Sequence, residues 1–301
     1  MITIQILGSG AATPTLDRGV TAQYLNFNER RILVDCGEST QLQLRKFGVK
    51  FQRLQYIFIS HLHGDHYLGL PGLLASMHLL GRENPIHIYA PPELEEIILK
   101  QYELTHVKLK YDLIFHPLLS KTKTVIFEDN IMTVSAFPLK HRIPCYGFLF
   151  EEKLKERKVD KTLIENYQLT IPEIVQLKRG EDLVRAKEII KNNELTVDPS
   201  KPKSYAFCTD TRYLINLPDQ IKSVDILYHE ATFLDQDKER AKATFHTTAL
   251  QAAKIAKKAE VGQLLLGHFS ARYRSTKDLE KEAKTIFENT VCVNDGDKFL
   301  L

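Results

Sequence analysis

The sequence predicts a mixed α/β (α+β) protein with two β-sheets and with helices packed on their outer faces. Three observations support this prediction. Strand-like apolar runs are mixed with amphipathic helical patterns, and the strands cluster in each half of the chain. The length of 301 residues suits one large domain that carries an insertion. A highly charged tract, residues 151–203, interrupts the strand pattern and is predicted to be that insertion.

In the first half of the chain, runs rich in branched and aromatic residues predict the strands. Residues 2–7 form the first strand, and the runs 20–27 and 31–35 face each other across a turn at Asn28-Glu29. Helical spacing predicts two helices, over 68–80 and over 92–104, and Pro92 lies near the start of the second. The remaining predicted strands are 54–60, 86–91, 113–118, 124–128, 131–139 and 145–151.

In the second half, three apolar runs each end in a polar residue that can bind a metal. These runs are 204–210, 224–230 and 263–269. An amphipathic helix is predicted over 248–259, and a last helix over 276–288 precedes a terminal strand within 291–301. The charged tract between the two halves is predicted to be helical and to close at Pro199 and Pro202.

The composition is that of an ordinary globular protein, with 43% hydrophobic and 26% charged residues. The net charge of +3 is compatible with a polyanionic partner, but many proteins without such a partner share it. The four cysteines are scattered without a C-x-x-C pair, which excludes a thiolate zinc site and a disulfide framework. The first residues lack the zones of a signal peptide, and no apolar run approaches the roughly 20 residues of a membrane span, so we expect a cytoplasmic protein that contacts no membrane.

The residues with metal-binding side chains follow predicted strands. His61, His63, Asp65 and His66 come directly after the strand 54–60, and the others, at the ends of later strands, are His141, Asp210 and His268. Imidazole and carboxylate ligands without thiolate suit zinc, and also manganese or iron. Seven ligands exceed the four of one tetrahedral zinc ion, which favours two ions that share a carboxylate. Such a site activates a water molecule for attack at phosphorus.

The alternative for any single histidine at a strand end is a structural residue that forms a hydrogen bond. It remains open for His268 taken alone, but it does not explain the whole cluster. Four further histidines have no such neighbours in the sequence and are expected to have no catalytic role: His78, His87, His106 and His116.

Several motifs, spread over nearly the whole chain, resemble ribonuclease Z (tRNase Z) in its short form, a family of the metallo-β-lactamase superfamily. They are "LGSGAATPT" (7–15), "DCGESTQLQ" (35–43), "SHLHGDHYLGLPGLL" (60–74), "PLKHRIPCYGF" (138–148), "FCTDT" (207–211), "HEATF" (229–233) and "GHFSARY" (267–273). The resemblance implies an αββα sandwich with its metals at one edge of the two sheets. It also implies a catalytic domain of residues 1–150 and 204–301, from which residues 151–203 protrude as a flexible helical arm (the exosite) that binds tRNA.

The resemblance assigns the ligands to two zinc ions per subunit, for which manganese or another divalent metal can substitute. One zinc takes His61, His63 and His141, the other takes Asp65, His66 and His268, and Asp210 bridges both. Asp65 is also implied as the general base, because a carboxylate at the metals can accept the proton of the attacking water.

A second implied pair is His246, which would protonate the leaving oxygen, and Glu230, which would orient it. The alternatives are a strand-end hydrogen bond for Glu230 and a helix N-cap contact for His246. Ser270 and Arg272, beside a metal ligand, suit a phosphate. In the arm, Lys178 and Arg179 are candidate phosphate contacts, and solvated surface charge is the alternative. The arm contains Pro172 but lacks the Gly-Pro cluster found at the tip in many bacterial members.

The resemblance therefore implies an endoribonuclease that removes the 3′ trailer from precursor tRNA. The tRNA would keep a 3′-hydroxyl and the trailer a 5′-phosphate. The short form implies a homodimer in which the arm of one subunit serves the active site of its partner. Two alternatives remain: another hydrolase of the superfamily (a small-molecule phosphodiesterase, lactonase or thioesterase), and a non-catalytic RNA-binding or structural subunit.

Overall fold

A computed structural model describes residues 2–185 and 188–301. The chain divides into two compact units. The first comprises Met1–Phe127, Val134–Phe150 and Ser204–Leu301, and the second comprises Glu128–Thr133 and Glu151–Lys203.

The strands of the described residues lie in two large sheets and two short ribbons. In chain order they are β1 (Ile2–Gly8), β2 (Ala22–Phe27), β3 (Arg30–Cys36), β4 (Tyr56–Phe58), β5 (Ile86–Ala90), β6 (Leu113–Pro117), β7 (Thr124–Glu128), β8 (Met132–Leu139), β9 (Cys145–Glu152), β10 (Lys158–Val159), β11 (Leu183–Arg185), β12 (Glu188–Ile190), β13 (Thr196–Val197), β14 (Ser204–Cys208), β15 (Ile226–Glu230), β16 (Gln263–Gly267), β17 (Thr290–Cys292) and β18 (Lys298–Leu300).

The helices of the described residues are short or of moderate length. In chain order they are α1 (Thr40–Lys46), α2 (Gly64–Tyr67), α3 (Leu70–Leu79), α4 (Glu93–Leu104), α5 (Lys161–Asn166), α6 (Ile171–Lys178), α7 (Asn192–Leu195), α8 (Leu217–Gln220), α9 (Lys238–Thr244), α10 (Ala249–Lys258) and α11 (Lys277–Lys284). Among the described residues, no helix is long and apolar enough to cross a membrane.

The first sheet has the strand order β18-β1-β2-β3-β4-β5-β6. Its β1–β2 and β2–β3 pairs are antiparallel, whereas β3, β4, β5 and β6 run parallel. The second sheet has the order β17-β16-β15-β14-β9-β8-β7, and its strands β14 to β17 are parallel. The carboxyl ends of β14, β15 and β16 therefore meet at one edge, where side chains can converge on a site.

The two sheets face each other through aromatic side chains. The ring of Phe58 in β4 lies 5.4 Å from Phe148 and 5.5 Å from Phe150 of β9, measured between centroids. The Tyr205 hydroxyl of β14 donates a hydrogen bond to the Gln23 side chain of β2. Because alternate residues of a strand point to opposite faces, the neighbours of these residues point outward.

Helices cover both outward faces. On the first sheet, Leu33 and Ile57 are buried with residues of α1, α3 and α4. On the second sheet, Ala206 and Leu227 are buried with the alanines of α10 and with Leu279 of α11. Helix–sheet–sheet–helix layers confirm the predicted αββα sandwich.

The strand and helix predictions differ from the structure in several places. The run 54–60 forms a strand only over Tyr56–Phe58, which leaves a loop before His61. The helix predicted over 68–80 corresponds to α3 alone, because α2 is a separate short helix that precedes it, and the last helix ends at Lys284 rather than 288. The terminal run 291–301 contains parts of two strands that belong to different sheets, β17 in the second and β18 in the first.

The prediction of a purely helical insertion is wrong. The second unit contains helices α5, α6 and α7, but also the antiparallel ribbons β10–β13 and β11–β12. Short two-stranded ribbons expose most of their side chains, so charged residues are compatible with them and hide the strand pattern. A small core of its own holds the second unit together, formed by Leu169, Leu177, Leu183, Ile190 and Leu195.

Candidate metal centre

The loops that follow four strands carry the metal-binding side chains. His61 to His66 follow β4, His141 follows β8, Asp210 follows β14 and His268 follows β16. Asp65 and His66 lie in the first turn of α2. A side chain on Gly37 would come within 2.3 Å of the Asp65 carbonyl oxygen, so glycine is required for the approach of the two chain segments here.

The structure brings all seven predicted ligands into two adjacent groups. The first group is His61, His63, His141 and Asp210, and the second is Asp65, His66 and His268, with the ligand atoms of each group within 4.8 Å of one another. Asp210 Oδ2 lies 3.6 Å from both His61 Nε2 and His141 Nε2. Asp210 Oδ1 lies 3.3 Å from His66 Nε2 and 3.1 Å from His268 Nε2. One carboxylate therefore faces both groups.

The spacing of these atoms fits a divalent metal. Ligand atoms about 2.0–2.1 Å from a tetrahedral ion are about 3.3 Å apart. His63 Nδ1 lies 3.1 Å from His61 Nε2 and 3.0 Å from His141 Nε2, close to that spacing. His66 Nε2 is buried and forms no hydrogen bond with any described residue. A buried nitrogen without a hydrogen-bond partner is costly unless a metal binds it.

The other ring nitrogens have partners that fix the imidazoles. His66 Nδ1 donates to Asp35 Oδ2 at 2.7 Å, and His141 Nδ1 donates to the Phe245 carbonyl at 3.0 Å. His268 Nδ1 lies 2.9 Å from the Thr232 hydroxyl, and His61 Nδ1 lies 3.1 Å from the Ser60 hydroxyl. The Ser60 and Thr232 hydroxyls donate to Asp35 and Glu230, so they accept from the two imidazoles. With the proton on Nδ1 in all four rings, the Nε2 lone pairs face the centre, as metal ligation requires.

Sequence reasoning missed Asp35, Ser60, Thr232 and the Phe245 carbonyl. The signal for Asp35 was present, since it also ends a buried apolar run, the strand β3. Its carboxylate accepts the backbone N–H of Ser60 at 2.7 Å and the Ser60 hydroxyl at 2.8 Å. Asp35 therefore orients ligands on both sides of the cluster, through His66 and through Ser60. Ser60 and Thr232 carry no comparable signal in a single sequence.

The charges in the centre are strongly coupled. Burial lowers the pKa of the His61 imidazole well below its usual range, so this ring stays neutral. Burial alone would raise the pKa of Asp210, but His268 and His66 outweigh it and hold that pKa well below its usual range. Burial also opposes the charge of His66, yet the carboxylates of Asp65 and Asp210 outweigh it and raise the pKa of that imidazole. A bound cation would replace the His66 proton.

Three residues of the centre have left-handed backbone conformations, which are unusual outside glycine. The φ angles are +57° at Asp35, +22° at Asp210 and +57° at His268. Such conformations are unfavourable by about 1–3 kcal/mol each and cluster at functional sites. Here each one turns the chain sharply at the end of a strand and directs the side chain into the centre.

His246 and Glu230 lie against the second ligand group. His246 Nδ1 is 2.9 Å from Glu230 Oε1, and the Thr232 hydroxyl donates to Glu230 Oε2 at 2.6 Å. Burial lowers the pKa of His246, but the Glu230 carboxylate outweighs this effect and raises the pKa to about 9. The imidazole is thereby kept protonated at neutral pH, which suits a general acid. His246 is not the N-cap of α10, because Thr248 occupies that position.

A cleft of about 570 Å³ opens onto this centre. Its walls include Ser270 and Arg272, and also Arg142 and Arg240, which sequence reasoning did not select. Arg272 is held by Asp237, with its Nη1 3.3 Å from Asp237 Oδ1, and it lies over the Phe233 ring at 5.0 Å. Three arginines around one cleft favour a polyanionic substrate.

The arm residues Lys178 and Arg179, and the histidines His78, His87 and His116, are not part of the two ligand groups. Lys178 ends α6, and Arg179 follows it; both are exposed on the second unit. His87 and His116 form a hydrogen bond with each other at 3.0 Å, and the His78 ring accepts a backbone N–H from Lys110. All four cysteines are buried and free.

Comparison with known proteins shows which family the chain belongs to. The chain matches a family model described as "Anti-Pycsar protein Apyc1" over residues 2–176. It is 44% identical to ribonuclease Z of Bacteroides fragilis over 294 residues, which cover 97% of each chain. The structure of human tRNase Z, short form, superimposes with a TM-score of 0.73 and 27% identity, and covers 99% of this chain and 98% of that one.

A more distant structure shares the fold alone. The metallo-β-lactamase fold protein YhfI from Bacillus subtilis gives a TM-score of 0.70 at 17% identity, and covers 99% of this chain and 98% of that one. The alignment with the bacterial ribonuclease Z covers both halves of the chain. It therefore includes the segments with Asp210, Glu230, His246 and His268. The chain therefore belongs to the ribonuclease Z family and has the metallo-β-lactamase fold.

Proposed function

We propose that this protein is a metal-dependent endoribonuclease that removes the 3′ trailer from precursor tRNA. The observation that carries the proposal is the convergence of two ligand groups on Asp210 beside the Glu230–His246 pair, in a chain of the ribonuclease Z family. Cleavage leaves a 3′-hydroxyl on the tRNA and a 5′-phosphate on the trailer. The proposed cleavage takes place in the cytoplasm, where tRNA matures.

The proposed cofactors are two zinc ions per subunit, with manganese as the alternative. His61, His63 and His141 would hold one ion, Asp65, His66 and His268 would hold the other, and Asp210 would be shared by both. When bound, the ions supply positive charge that polarises the scissile phosphate and acidifies the attacking water.

Asp65 is the proposed proton acceptor. Burial alone would raise its pKa, but His66 and His268 outweigh burial and keep the carboxyl ionised, the form that accepts a proton. A backbone N–H from Ala12 donates to Asp65 Oδ2 at 2.8 Å and fixes the orientation of the group.

His246 is the proposed proton donor to the leaving 3′-oxygen. The Glu230 carboxylate holds Nδ1, and the charged imidazole lies at the wall of the cleft. Ser270 and Arg272 are proposed to bind a phosphate of the substrate strand, the arginine by its planar pair of N–H groups. Arg142 and Arg240 add positive charge to the same cleft.

The second unit is proposed to be the arm that binds the tRNA body, with Lys178 and Arg179 at phosphates. A homodimer is proposed in addition, with the arm of each subunit serving the partner's active site. Each contact between a basic side chain and an RNA phosphate releases counterions. The loss of one such contact therefore lowers the salt dependence of RNA binding. Lys178→Ala with Arg179→Ala should reduce that dependence, whereas the exposed control Lys161→Ala should not.

Deletion of residues 153–200 separates this proposal from a small-molecule hydrolase of the same superfamily. We expect the deleted protein to hydrolyse a small phosphodiester, bis(p-nitrophenyl) phosphate, at the wild-type rate while cleavage of pre-tRNA collapses. If pre-tRNA cleavage survives the deletion at the wild-type rate, the role of the arm is wrong. If the wild-type protein hydrolyses the small ester but never cuts pre-tRNA, the small-molecule alternative is favoured.

A further inference from the structure

The loop between β1 and β2, residues 9–21, is held at both ends by one carboxylate from the far end of the chain. Asp295 Oδ1 accepts hydrogen bonds from the backbone N–H of Ser9 at 2.9 Å and from its hydroxyl at 2.7 Å. Asp295 Oδ2 accepts from the Gly19 N–H at 2.7 Å and from the Gln43 side chain at 2.6 Å. No cationic side chain of the described residues forms an ion pair with Asp295, so these four donors satisfy its partly buried charge.

The middle of this loop contacts the candidate metal centre. The Ala11 N–H donates to the carbonyl of Phe269, the residue after His268, at 3.0 Å. The Ala12 N–H donates to Asp65 Oδ2 at 2.8 Å. The same carboxylate oxygen lies 3.3 Å from His268 Nε2 and 3.4 Å from His66 Nε2. The loop therefore brings a backbone donor to the oxygen that faces the second ligand group.

Ala12 needs outside support to hold this position. Its φ angle is +63°, in the left-handed region that L-residues with a Cβ atom avoid. Such a conformation persists only where the surroundings fix it. The Gly10 N–H donates to the Gly19 carbonyl at 2.9 Å and closes the base of the loop. Asp295 holds Gly19 itself and Ser9, the residue before Gly10.

We propose that Asp295 is a positioning residue that acts on Asp65 through the β1–β2 loop. By fixing Ser9 and Gly19, it places the Ala12 N–H on Asp65 Oδ2 and thereby orients that carboxylate as a metal ligand and proton acceptor. The inference rests on the proposed function for the two roles of Asp65. It requires that the loss of Asp295 weakens metal binding and the catalytic step, but not the binding of RNA.

The test compares Asp295→Asn with Asp297→Asn. Asp297 lies in the same turn, and its carboxylate accepts only the nearby Asn294 N–H among the side-chain hydrogen bonds found for it. Zinc affinity is measured by titration of the metal-free protein against a chromophoric chelator. We expect Asp295→Asn to weaken the binding of one zinc by roughly 10-fold, the lower end of the range for residues that orient a ligand, because it acts through the loop, and Asp297→Asn to leave the affinity unchanged. On pre-tRNA, kcat should fall in Asp295→Asn while KM stays at the wild-type value.

A double-mutant cycle separates positioning from a general structural effect. In the Asp65→Ala background, Asp295→Asn should cause no further loss of zinc affinity, because its effect passes through Asp65. An equal loss in both backgrounds, or wild-type affinity in Asp295→Asn, would overturn the proposal. If Asp295→Asn does not fold, Ser9→Ala decides: it removes only a hydroxyl donor, and it should weaken zinc binding in the same direction. Wild-type affinity in Ser9→Ala would then overturn it.

The failure of this inference is distinct from failure of the proposed function. If the wild-type protein cuts no pre-tRNA, the function is wrong, yet the zinc titration still tests the link between Asp295 and Asp65.

Discussion

Asp210 connects the two halves of the metal centre at the scale of a single residue. Its Oδ2 faces the group around His61 and His141, and its Oδ1 faces His66 and His268. The side chain is buried, and the adjacent imidazoles hold its pKa well below the usual range, although burial opposes this. This one carboxylate therefore lies within reach of both ligand groups.

Substitution of Asp210 should therefore affect both metals. In Asp210→Asn we expect the zinc content to fall below the two ions per chain proposed for the wild type. Cleavage should fall by more than the roughly 10- to 100-fold typical of a residue beside a ligand. Elemental analysis after dialysis and a pre-tRNA assay measure the two effects. The matched control is His106→Asn, an exposed residue at φ +54°, where asparagine is tolerated. Full zinc content in Asp210→Asn would contradict the bridging role.

The pair of His246 and Glu230 predicts a pH dependence. The folded pKa of His246, about 9, is raised above its ordinary value of 6.5, so the proton donor is present at neutral pH and is lost as the pH rises through about 9. The charged pair of His246 and Glu230 also stabilises the folded protein. This contribution is fully present below pH 6.5 and is lost as the pH rises towards 9.

Glu230→Gln should move the alkaline loss of activity to lower pH, because it removes the carboxylate that stabilises the imidazolium. Single-turnover rates from about pH 6 to 10 measure the displacement. Identical alkaline limbs in Glu230→Gln and wild type would show that Glu230 does not set the protonation of His246.

The sequence carries the ligands more clearly than their supports. His61, His63, Asp65 and His66 stand out because four ligand-type residues are close together, and His141, Asp210 and His268 because each follows an apolar run. Thr232 and Ser60 have side chains that serve in caps, turns and loops everywhere, so only the fold shows their contacts with His268 and His61. The Phe245 carbonyl has no sequence signal at all, since every residue has one.

Helix α10 is the element that links the outer layer of the second sheet to the segment with His246. Its N-cap is Thr248, whose hydroxyl accepts the Gln251 N–H at 3.2 Å, while the Gln251 side chain accepts the Thr248 N–H at 3.1 Å. Ala252, Ala253 and Ala256 bury the helix in the core of this layer. Small side chains permit a close approach of the helix to the sheet.

Thr248→Ala should lower the free energy of unfolding by about 1 kcal/mol, because it removes the capping oxygen. Urea denaturation followed by circular dichroism measures the change. Thr285→Ala is the control: its exposed hydroxyl donates to the Glu282 carbonyl, and surface substitutions of this kind stay within about 0.5 kcal/mol. A capping role is refuted if the two variants unfold at the same denaturant concentration.

At the scale of elements, the sequence predicts long, strongly patterned segments and fails at short ones. The strand β1 and the helix α4 appear nearly where the pattern places them. The three-residue strands β17 and β18 are too short to show alternation, and only their partners β16 and β1 assign them to different sheets. The same holds for the short ribbons of the second unit, and the pairing of β10 with β13 joins residues far apart in the sequence, such as Val159 and Thr196.

At the scale of the whole molecule, the proposed homodimer predicts complementation between two inactive proteins. The Asp65→Ala protein has an intact arm and an inactive catalytic site. The protein without residues 153–200 has an intact catalytic site and no arm. If the arm acts on the partner, exchange of subunits should restore pre-tRNA cleavage that neither protein shows alone. Light scattering should give about twice the 34.6 kDa of one chain. A monomeric mass, or a mixture that stays inactive after exchange, would contradict the arrangement.

One two-metal site, with Asp65 as the proton acceptor, is proposed to cut precursor tRNA at its 3′ end. The most direct measurement is end-mapped cleavage of pre-tRNAs, with and without an encoded CCA, by zinc-loaded wild-type protein and by Asp65→Ala. We predict a wild-type cut just after the discriminator base that leaves a 3′-hydroxyl on the tRNA, and no cut by Asp65→Ala on the same time scale. Cleavage by Asp65→Ala at the wild-type rate, or a wild-type cut elsewhere in the precursor, would contradict the account.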